Sequence, residues 1–319
     1  MAGNLSVRLG KLRLQNPVMV ASGCFGYGEE YHRLYDVSQL GAIVTKSISL
    51  RPRSGNPTPR IYETPSGMIN SIGLQNVGLQ AFIEKKMPFL RRLKKVKVIV
   101  NLAGESVAEY VELARRLEDV GRIDGLELNI SCPNCERGGI EFGVDPKLTA
   151  QVVGRVRRVT KRTLVVKLSP NVTDITAIAR AAVEAGADIL SLINTLLAIA
   201  VDSRSWRPRI ATVTGGLSGP AVKPVALRMI WQVYRAVPKT PLIGIGGIMT
   251  AEDVVEFMLC GAGAVQLGTA NYVNPNAPLE VIQGLKRYLA DRKLASPKAL
   301  VGRLEIPSRL RGVPQVVAG

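Results

Sequence analysis

The sequence predicts one α/β domain, a closed (β/α)8 TIM-type barrel with an N-terminal β-hairpin and long loops over the C-terminal face. Three observations carry the prediction. Eight short apolar runs recur along the 319 residues, with amphipathic stretches between them. Each run is apolar on both faces, as a strand buried in a parallel sheet must be. No GxGxxG follows the first run, which argues against an open doubly wound sheet.

The elements follow in order. Residues 5–9 and 11–14 alternate around Gly10 and read as a hairpin plugging the N-terminal end of the barrel. The strand candidates are 18–22, 42–46, 96–102, 125–130, 164–168, 189–194, 242–246 and 264–268. Helical periodicity places helices at 107–120, 147–160, 175–185, 224–237, 251–259 and 278–289. Several open on a cap or a first-turn proline: Asp145-Pro146, Asp174, Thr250 with Asp253 three residues on, and Ala277-Pro278. Gly121, Gly186 and Gly261 close others. Two connections, 47–95 and 195–241, are long enough to be functional lids. They follow the second and sixth strands and so rise over the C-terminal face, where barrel enzymes keep their sites. No repeat or linker interrupts 1–319, which reads as one domain.

Composition narrows the class. A 46% hydrophobic, 21% charged chain has ample core and is not disordered. The apolar stretch 189–201 is broken by Ser191, Asn194 and Thr195 and falls short of the roughly 20 residues a bilayer requires. The N-terminus lacks a signal-peptide core, so the expected location is the cytoplasm, with no membrane association. The net charge is +17, which raises nucleic acid as a partner. The clusters Arg91, Arg92, Lys94, Lys95, Lys97 and Arg155, Arg157, Arg158, Lys161, Arg162 sit at helix ends instead, where the dipole favours cations. No aromatic residues interleave with them as a single-strand groove requires, so they read as solvated helix ends. Cys24, Cys132, Cys135 and Cys260 are too few for a disulfide scaffold, and the single His32 excludes a multi-histidine metal site.

The residues leaving the strands carry the chemistry: Ser22, Lys46, Asn101, Asn129, Lys167, Asn194, Gly246-Gly247 and Gly268-Thr269. A desolvated lysine requires an anionic partner, and these positions offer no Asp or Glu, so the lysines point to a bound anion. Glycine turns after strands seven and eight suit a phosphate, and 215–220 adds backbone donors before a helix. Asn70-Ser71-Ile72-Gly73-Leu74 in the first long loop, with Asn129, Asn134, Asn194 and Thr195, offers amides to a planar ligand such as a pyrimidine. The competing reading is that loop asparagines only cap turns. Cys132 and Cys135 allow three readings: zinc ligands, a redox dithiol, or one catalytic thiol. Zinc lacks two further ligands at matching spacing, and a redox Cys-x-x-Cys opens a helix in a different fold. A thiol with an ordinary pKa of about 8.5 serves as a base toward a carbon-bound proton. Cys132 lies three residues past the strand-end asparagine, nearer the site than Cys135.

These residues resemble the class 1 dihydroorotate dehydrogenases over essentially the whole chain. The motifs are NSIGLQN (70–76), LELNISCPN (126–134), VKLSPNVTD (166–174), INTL (193–196), TGGLSGPAVKPVALRMI (214–230), IGIGGI (243–248) and QLGTA (266–270). With CERGGIEFGVDP (135–146), the pattern is similar to the 1B subclass, the catalytic FMN subunit that pairs with an iron–sulfur flavoprotein and NAD. The resemblance implies oxidation of dihydroorotate to orotate in de novo pyrimidine (UMP) biosynthesis. It implies FMN held by Ser22, Lys46, Ser47, Asn101, Asn129, Lys167, Ile193 and Gly219, with its phosphate on Gly246, Gly247, Gly268 and Thr269. Dihydroorotate would meet Lys46, Asn70, Ser71, Ile72, Gly73, Leu74, Asn129, Asn134, Asn194 and Thr195. Cys132 would take the C5 proton while hydride passes from C6 to the flavin. FAD and a 2Fe-2S cluster would belong to the partner, in a heterotetramer built on a homodimer of this chain. No role follows for Cys135, a passive filler on this reading. The rival enzymes are a fumarate-dependent class 1A type and a flavin dehydrogenase of uncharged dihydropyrimidines; the non-enzyme rival is a nucleic-acid-binding protein.

Overall fold

The computed structural model describes residues 4–131, 133–134 and 140–307. The chain opens on a hairpin of β1 (Val7–Leu9) and β2 (Leu12–Leu14), turning at Gly10 with φ 56°. Strands β3 (Val18–Val20) and β4 (Ala42–Val44) follow, with a single helical turn, α1 (Glu29–His32), between them. The first long connection carries β5 (Ile61–Thr64), β6 (Gly67–Asn70), α2 (Gly78–Ala81) and α3 (Met87–Arg92). Next come β7 (Lys97–Leu102), α4 (Val107–Glu118), β8 (Gly125–Asn129) and the short pair β9 (Pro133–Asn134) and β10 (Ile140–Glu141). Then follow α5 (Pro146–Arg157), β11 (Thr163–Lys167), α6 (Ile175–Glu184) and β12 (Ile189–Leu192). The second long connection holds β13 (Leu196–Ile199), β14 (Val201–Asp202), β15 (Arg207–Pro208) and β16 (Thr214–Ser218). Then come α7 (Lys223–Ala236), β17 (Leu242–Ile245), α8 (Ala251–Leu259), β18 (Ala264–Leu267), α9 (Ala270–Val273) and α10 (Ala277–Asp291).

Strands β3, β4, β7, β8, β11, β12, β17 and β18 close into a barrel in that order, with every neighbour pair parallel. All eight apolar runs of the sequence become these strands, trimmed by a residue or two where the chain turns into a loop. The helices bury one stripe each: α4 covers the barrel with Tyr110, Leu113, Ala114 and Leu117, the i, i+3, i+4, i+7 pattern of an amphipathic helix. Asp145 and Asp174 cap their helices, and Thr250 with Asp253 forms a reciprocal capping box on α8.

The hairpin does plug the barrel. Leu9, Leu12 and Leu14 pack with the inward residues Met19, Ala42, Val44, Ile99, Val165, Ile189, Ile243 and Ala264 in one buried cluster. Each leucine removed from water in this way stabilises by about 1.5–3 kcal/mol.

Two expectations change. The long connections are not open loops: β13, β16, β6 and β5 form one antiparallel sheet that joins both. Along β13 the apolar residues alternate, with Leu197 68% and Ile199 53% exposed while Leu196 packs inward. The basic clusters are also only partly solvated. Lys97 pairs with Asp124, Arg157 with Asp188, and Arg162 donates to the carbonyls of Ile123, Glu118 and Val120, tying helix ends to the next strands. Among the described residues no helix is long and apolar enough to cross a membrane.

Candidate active site

Alternation along the barrel strands brings polar side chains inward toward their C-terminal ends. Asn101, Glu127, Lys167, Ser191 and Gln266 are all buried there. Above them the strand-end residues meet through direct contacts. Ser22 and Ser47 hydroxyls lie 3.3 Å apart, linking the ends of β3 and β4. The Asn194 amide donates to Asn129 Oδ1 at 3.1 Å, linking β12 to β8, and accepts from the Thr195 N–H. The buried Tyr110 hydroxyl donates to the Asn129 carbonyl, fixing the end of β8 from α4.

The two long connections reach the same rim. Asn70 donates to the Gly216 carbonyl at 3.3 Å, and a Cβ at Gly216 would collide with the Thr195 hydroxyl at 2.1 Å. The 70–74 loop is held from behind: Asn56 donates its side-chain amide to the Ser71 carbonyl and its N–H to the Ile72 carbonyl. Gly73 and Leu74 both have positive φ, 72° and 55°. The Ser71 hydroxyl is buried without a partner among the described residues. Asn76 follows the structural reading: it caps its turn by binding the Ser49 and Gly78 N–H groups.

The glycine turns form a cradle. Gly246 and Gly247 have φ of 127° and 74° and Gly219 has φ of 93°, a region open to glycine and strained for other residues. A Cβ on Gly247 would lie 2.7 Å from Lys223 Cβ and 2.9 Å from the Gly219 carbonyl. One on Gly246 would sit 3.4 Å from Ile193, and one on Gly268 3.5 Å from the Cys24 sulfur. Thr269 donates to Ser218 at 2.8 Å, closing the ring between β18 and β16.

The side-chain ammonium groups of Lys46 and Lys167 have no hydrogen-bond or ion-pair partner among the described residues, although Lys167 is only 7% exposed. Burial lowers the Lys46 pKa, opposed by the Cys24 thiol nearby. Burial pushes the Cys24 thiol up, and Lys167 and Lys46 pull it back. Beside the cradle Lys223 bonds Asp253 at 2.6 Å and Glu256 at 2.9 Å, which raises its pKa. Burial alone would raise Asp253, but bonds from Lys223 and the N–H groups of Met249 and Thr250 hold it below the ordinary carboxylate range. On the far rim, burial raises Glu141, only partly offset by Ser169.

The structure thus gathers Ser22, Lys46, Ser47, Asn101, Asn129, Lys167, Ile193, Asn194, Thr195, Gly219, Gly246, Gly247, Gly268 and Thr269 at one end of the barrel, with the 70–74 loop beside them. Cys132 and Cys135 lie outside the described residues, as does the side chain of Asn134. Sequence reasoning passed over Glu127, Ser191 and Gln266, whose signal was a polar residue at an inward position of an otherwise apolar strand. It also passed over Asn171, which donates to the Thr195 carbonyl and accepts from the Leu197 N–H.

A flat anionic ligand edged with carbonyl and N–H groups fits this donor set. Comparison with known proteins agrees with that chemistry. A family profile described as "Dihydroorotate dehydrogenase" matches residues 4–289. A protein of Trichlorobacter lovleyi named "Dihydroorotate dehydrogenase B (NAD(+)), catalytic subunit" is 58% identical over 301 residues, covering 94% of this chain and 98% of the relative. Proteins of the same name from Pelobacter propionicus and Geobacter sulfurreducens are each 56% identical, covering 96% and 95% of this chain and 100% and 99% of their own. The barrel, its convergent rim and these matches along nearly the whole length have one conclusion: the chain belongs to the dihydroorotate dehydrogenase family.

Proposed function

We propose that this chain is the catalytic subunit of an NAD-linked, class 1B dihydroorotate dehydrogenase, oxidising dihydroorotate to orotate in de novo pyrimidine biosynthesis. The observation that carries the reading is a pair of inward lysines, Lys46 and Lys167, without a carboxylate partner among the described residues. They share their rim with the Asn129–Asn194 pair and the Gly246-Gly247 turn.

The rim fits FMN. Asn101 Oδ1 is buried without a donor among the described residues, free for a ligand N–H, and the cradle at Gly219 and Gly247 has no room for a Cβ. Ser22, Lys46, Ser47, Asn101, Asn129, Lys167, Ile193 and Gly219 would hold the ring and ribityl chain. Gly246, Gly247, Gly268 and Thr269 would hold the phosphate, aided by glycine backbone that approaches closely. FMN bound there supplies a two-electron acceptor for the hydride from C6 of the substrate.

The chain's own residues do the rest. Lys46 binds the substrate carboxylate. Asn70, Ser71, Ile72, Gly73, Leu74, Asn129, Asn134, Asn194 and Thr195 hold the ring by its amide and carbonyl edges. Cys132 removes the C5 proton as a thiolate, so the rate rises with pH toward the thiol pKa. Lys167 would place a positive charge beside the bound flavin, where it favours the flavin's accepting electrons. The partner is an iron–sulfur, FAD-bearing subunit that delivers electrons to NAD, in a heterotetramer built on a homodimer of this chain in the cytoplasm.

The test uses purified chain reconstituted with FMN. Dihydroorotate should bleach the flavin absorbance and orotate should bind, while uracil should not. NAD should be reduced only after the partner subunit is added, whereas an artificial acceptor needs no partner. Bleaching by dihydrouracil alone points to the uncharged-substrate rival, and turnover with fumarate to the 1A type. A colourless protein that binds DNA removes the enzyme reading.

A further inference from the structure

One carboxylate sits inside the barrel with no role in the chemistry above. Glu127 lies on β8, two residues before Asn129, and has no exposure to solvent. Its Oε1 accepts from the Asn101 amide at 2.7 Å; its Oε2 accepts from the Ser191 hydroxyl and the Gln266 amide, each at 2.9 Å. These partners come from β7, β12 and β18, so the carboxylate bridges the barrel interior. It has no ion-pair partner among the described residues.

Stability does not explain this group. Taking a charge out of water costs several kcal/mol, and well-packed apolar residues often serve as well or better. Its chemistry is distinctive in another respect: an ionised carboxylate only accepts hydrogen bonds, whereas a carboxamide both donates and accepts. Facing Glu127, Asn101 and Gln266 must each turn their NH2 toward it. Their oxygens, Asn101 Oδ1 and Gln266 Oε1, are then left buried without donors among the described residues.

We propose that Glu127 is a positioning residue for the flavin site, an inference that rests on the FMN reading above. It locks Asn101 and Gln266 with their oxygens turned away as acceptors. It also sets a negative charge beneath the rim that opposes Lys46 and Lys167. Negative potential there disfavours adding electrons to a bound flavin, and so holds its two-electron potential low enough for onward transfer.

The experiment is a reductive titration of FMN-loaded wild type, Glu127→Gln and Ser191→Ala. Glu127→Gln keeps the shape, removes the charge and lets Asn101 turn over. It should raise the reduced-to-oxidised flavin ratio about tenfold at a fixed potential, about 30 mV for a two-electron couple. Ser191→Ala keeps the charge but removes one of its donors, and should move the potential the opposite way. Glu127→Gln with flavin bound at the wild-type potential overturns the proposal, even if the variant is less stable. If Glu127→Gln does not fold, Ser191→Ala decides alone: a potential unchanged or raised overturns the proposal. A wild-type chain that takes up no FMN removes the flavin-site reading and this inference together; a loaded wild type with either contrary result removes only the inference.

Discussion

The two ends of the barrel are built from the same eight strands and differ in what those strands turn inward. At the hairpin end, Leu9, Leu12 and Leu14 close on a layer of Met, Ala, Val and Ile side chains. At the open end the inward layer is Asn101, Glu127, Lys167, Ser191 and Gln266. There the buried oxygens of Asn101 and Gln266 and the Ser71 hydroxyl have no partner among the described residues, and two lysines lack a carboxylate. The floor is what packing alone selects. The rim carries unsatisfied polar groups at a cost of about 1–3 kcal/mol each, and the stability of the floor offsets it. The division between a structural end and a functional end can therefore be cut experimentally.

The largest effect belongs to the proposed chemistry. Cys132→Ala should lower turnover of dihydroorotate by about 10²–10⁴-fold while flavin content and the urea midpoint stay at wild type; Cys135→Ala should be close to wild type. Equal losses in both would merge two positions that the proposed mechanism separates.

The floor should behave in the opposite way. Leu14→Ala, at a residue 2% exposed, should cost about 2–5 kcal/mol in denaturant unfolding, with flavin bound per folded molecule unchanged. A loss of flavin at full stability would make the floor part of the site.

Gly247→Val tests the seam between the two. The new Cβ would meet Lys223 and the Gly219 carbonyl at a φ of 74°, straining the turn by about 1–3 kcal/mol. FMN affinity should fall at least as steeply as stability, and full retention in equilibrium dialysis would move the phosphate elsewhere.

The smallest effect is the acid limb. Asp253 is held below the ordinary carboxylate range by Lys223, Met249 and Thr250, against its burial. Its contribution is therefore complete above about pH 4 and is lost as pH falls through its folded value. Asp253→Asn should cost about 1 kcal/mol at neutral pH and flatten that acid decline; an unchanged decline would assign it to other carboxylates.

Much of this was legible in the sequence because it depends on local rules. Apolar runs on both faces announced every barrel strand, Gly10 marked the hairpin, and Thr250 with Asp253 marked a helix start. The strand-end rule then listed most of the rim. The sheet of β5, β6, β13 and β16 was not legible, because its strands are short and paired across about 150 residues: Asn70 lies opposite Gly216. Alternation in that sheet turns Leu197 and Ile199 to solvent, which their apolar character alone does not announce. Arg157 and Arg162 read as solvated helix ends until the next strand brought carboxylates and carbonyls within reach.

By itself the sequence determined the number of barrel strands, their order, the hairpin and the residue types offered at each barrel-strand end, since these follow from periodicity and turn chemistry within short windows. Only the tertiary structure decided which of those residues meet. Closure of the barrel sets Glu127 among side chains from β7, β12 and β18, leaves Lys46 and Lys167 without an ion-pair partner among the described residues, and brings Gly219 against Gly247. Charge compensation and close backbone approach are properties of neighbours in space, and no spacing along the chain encodes them.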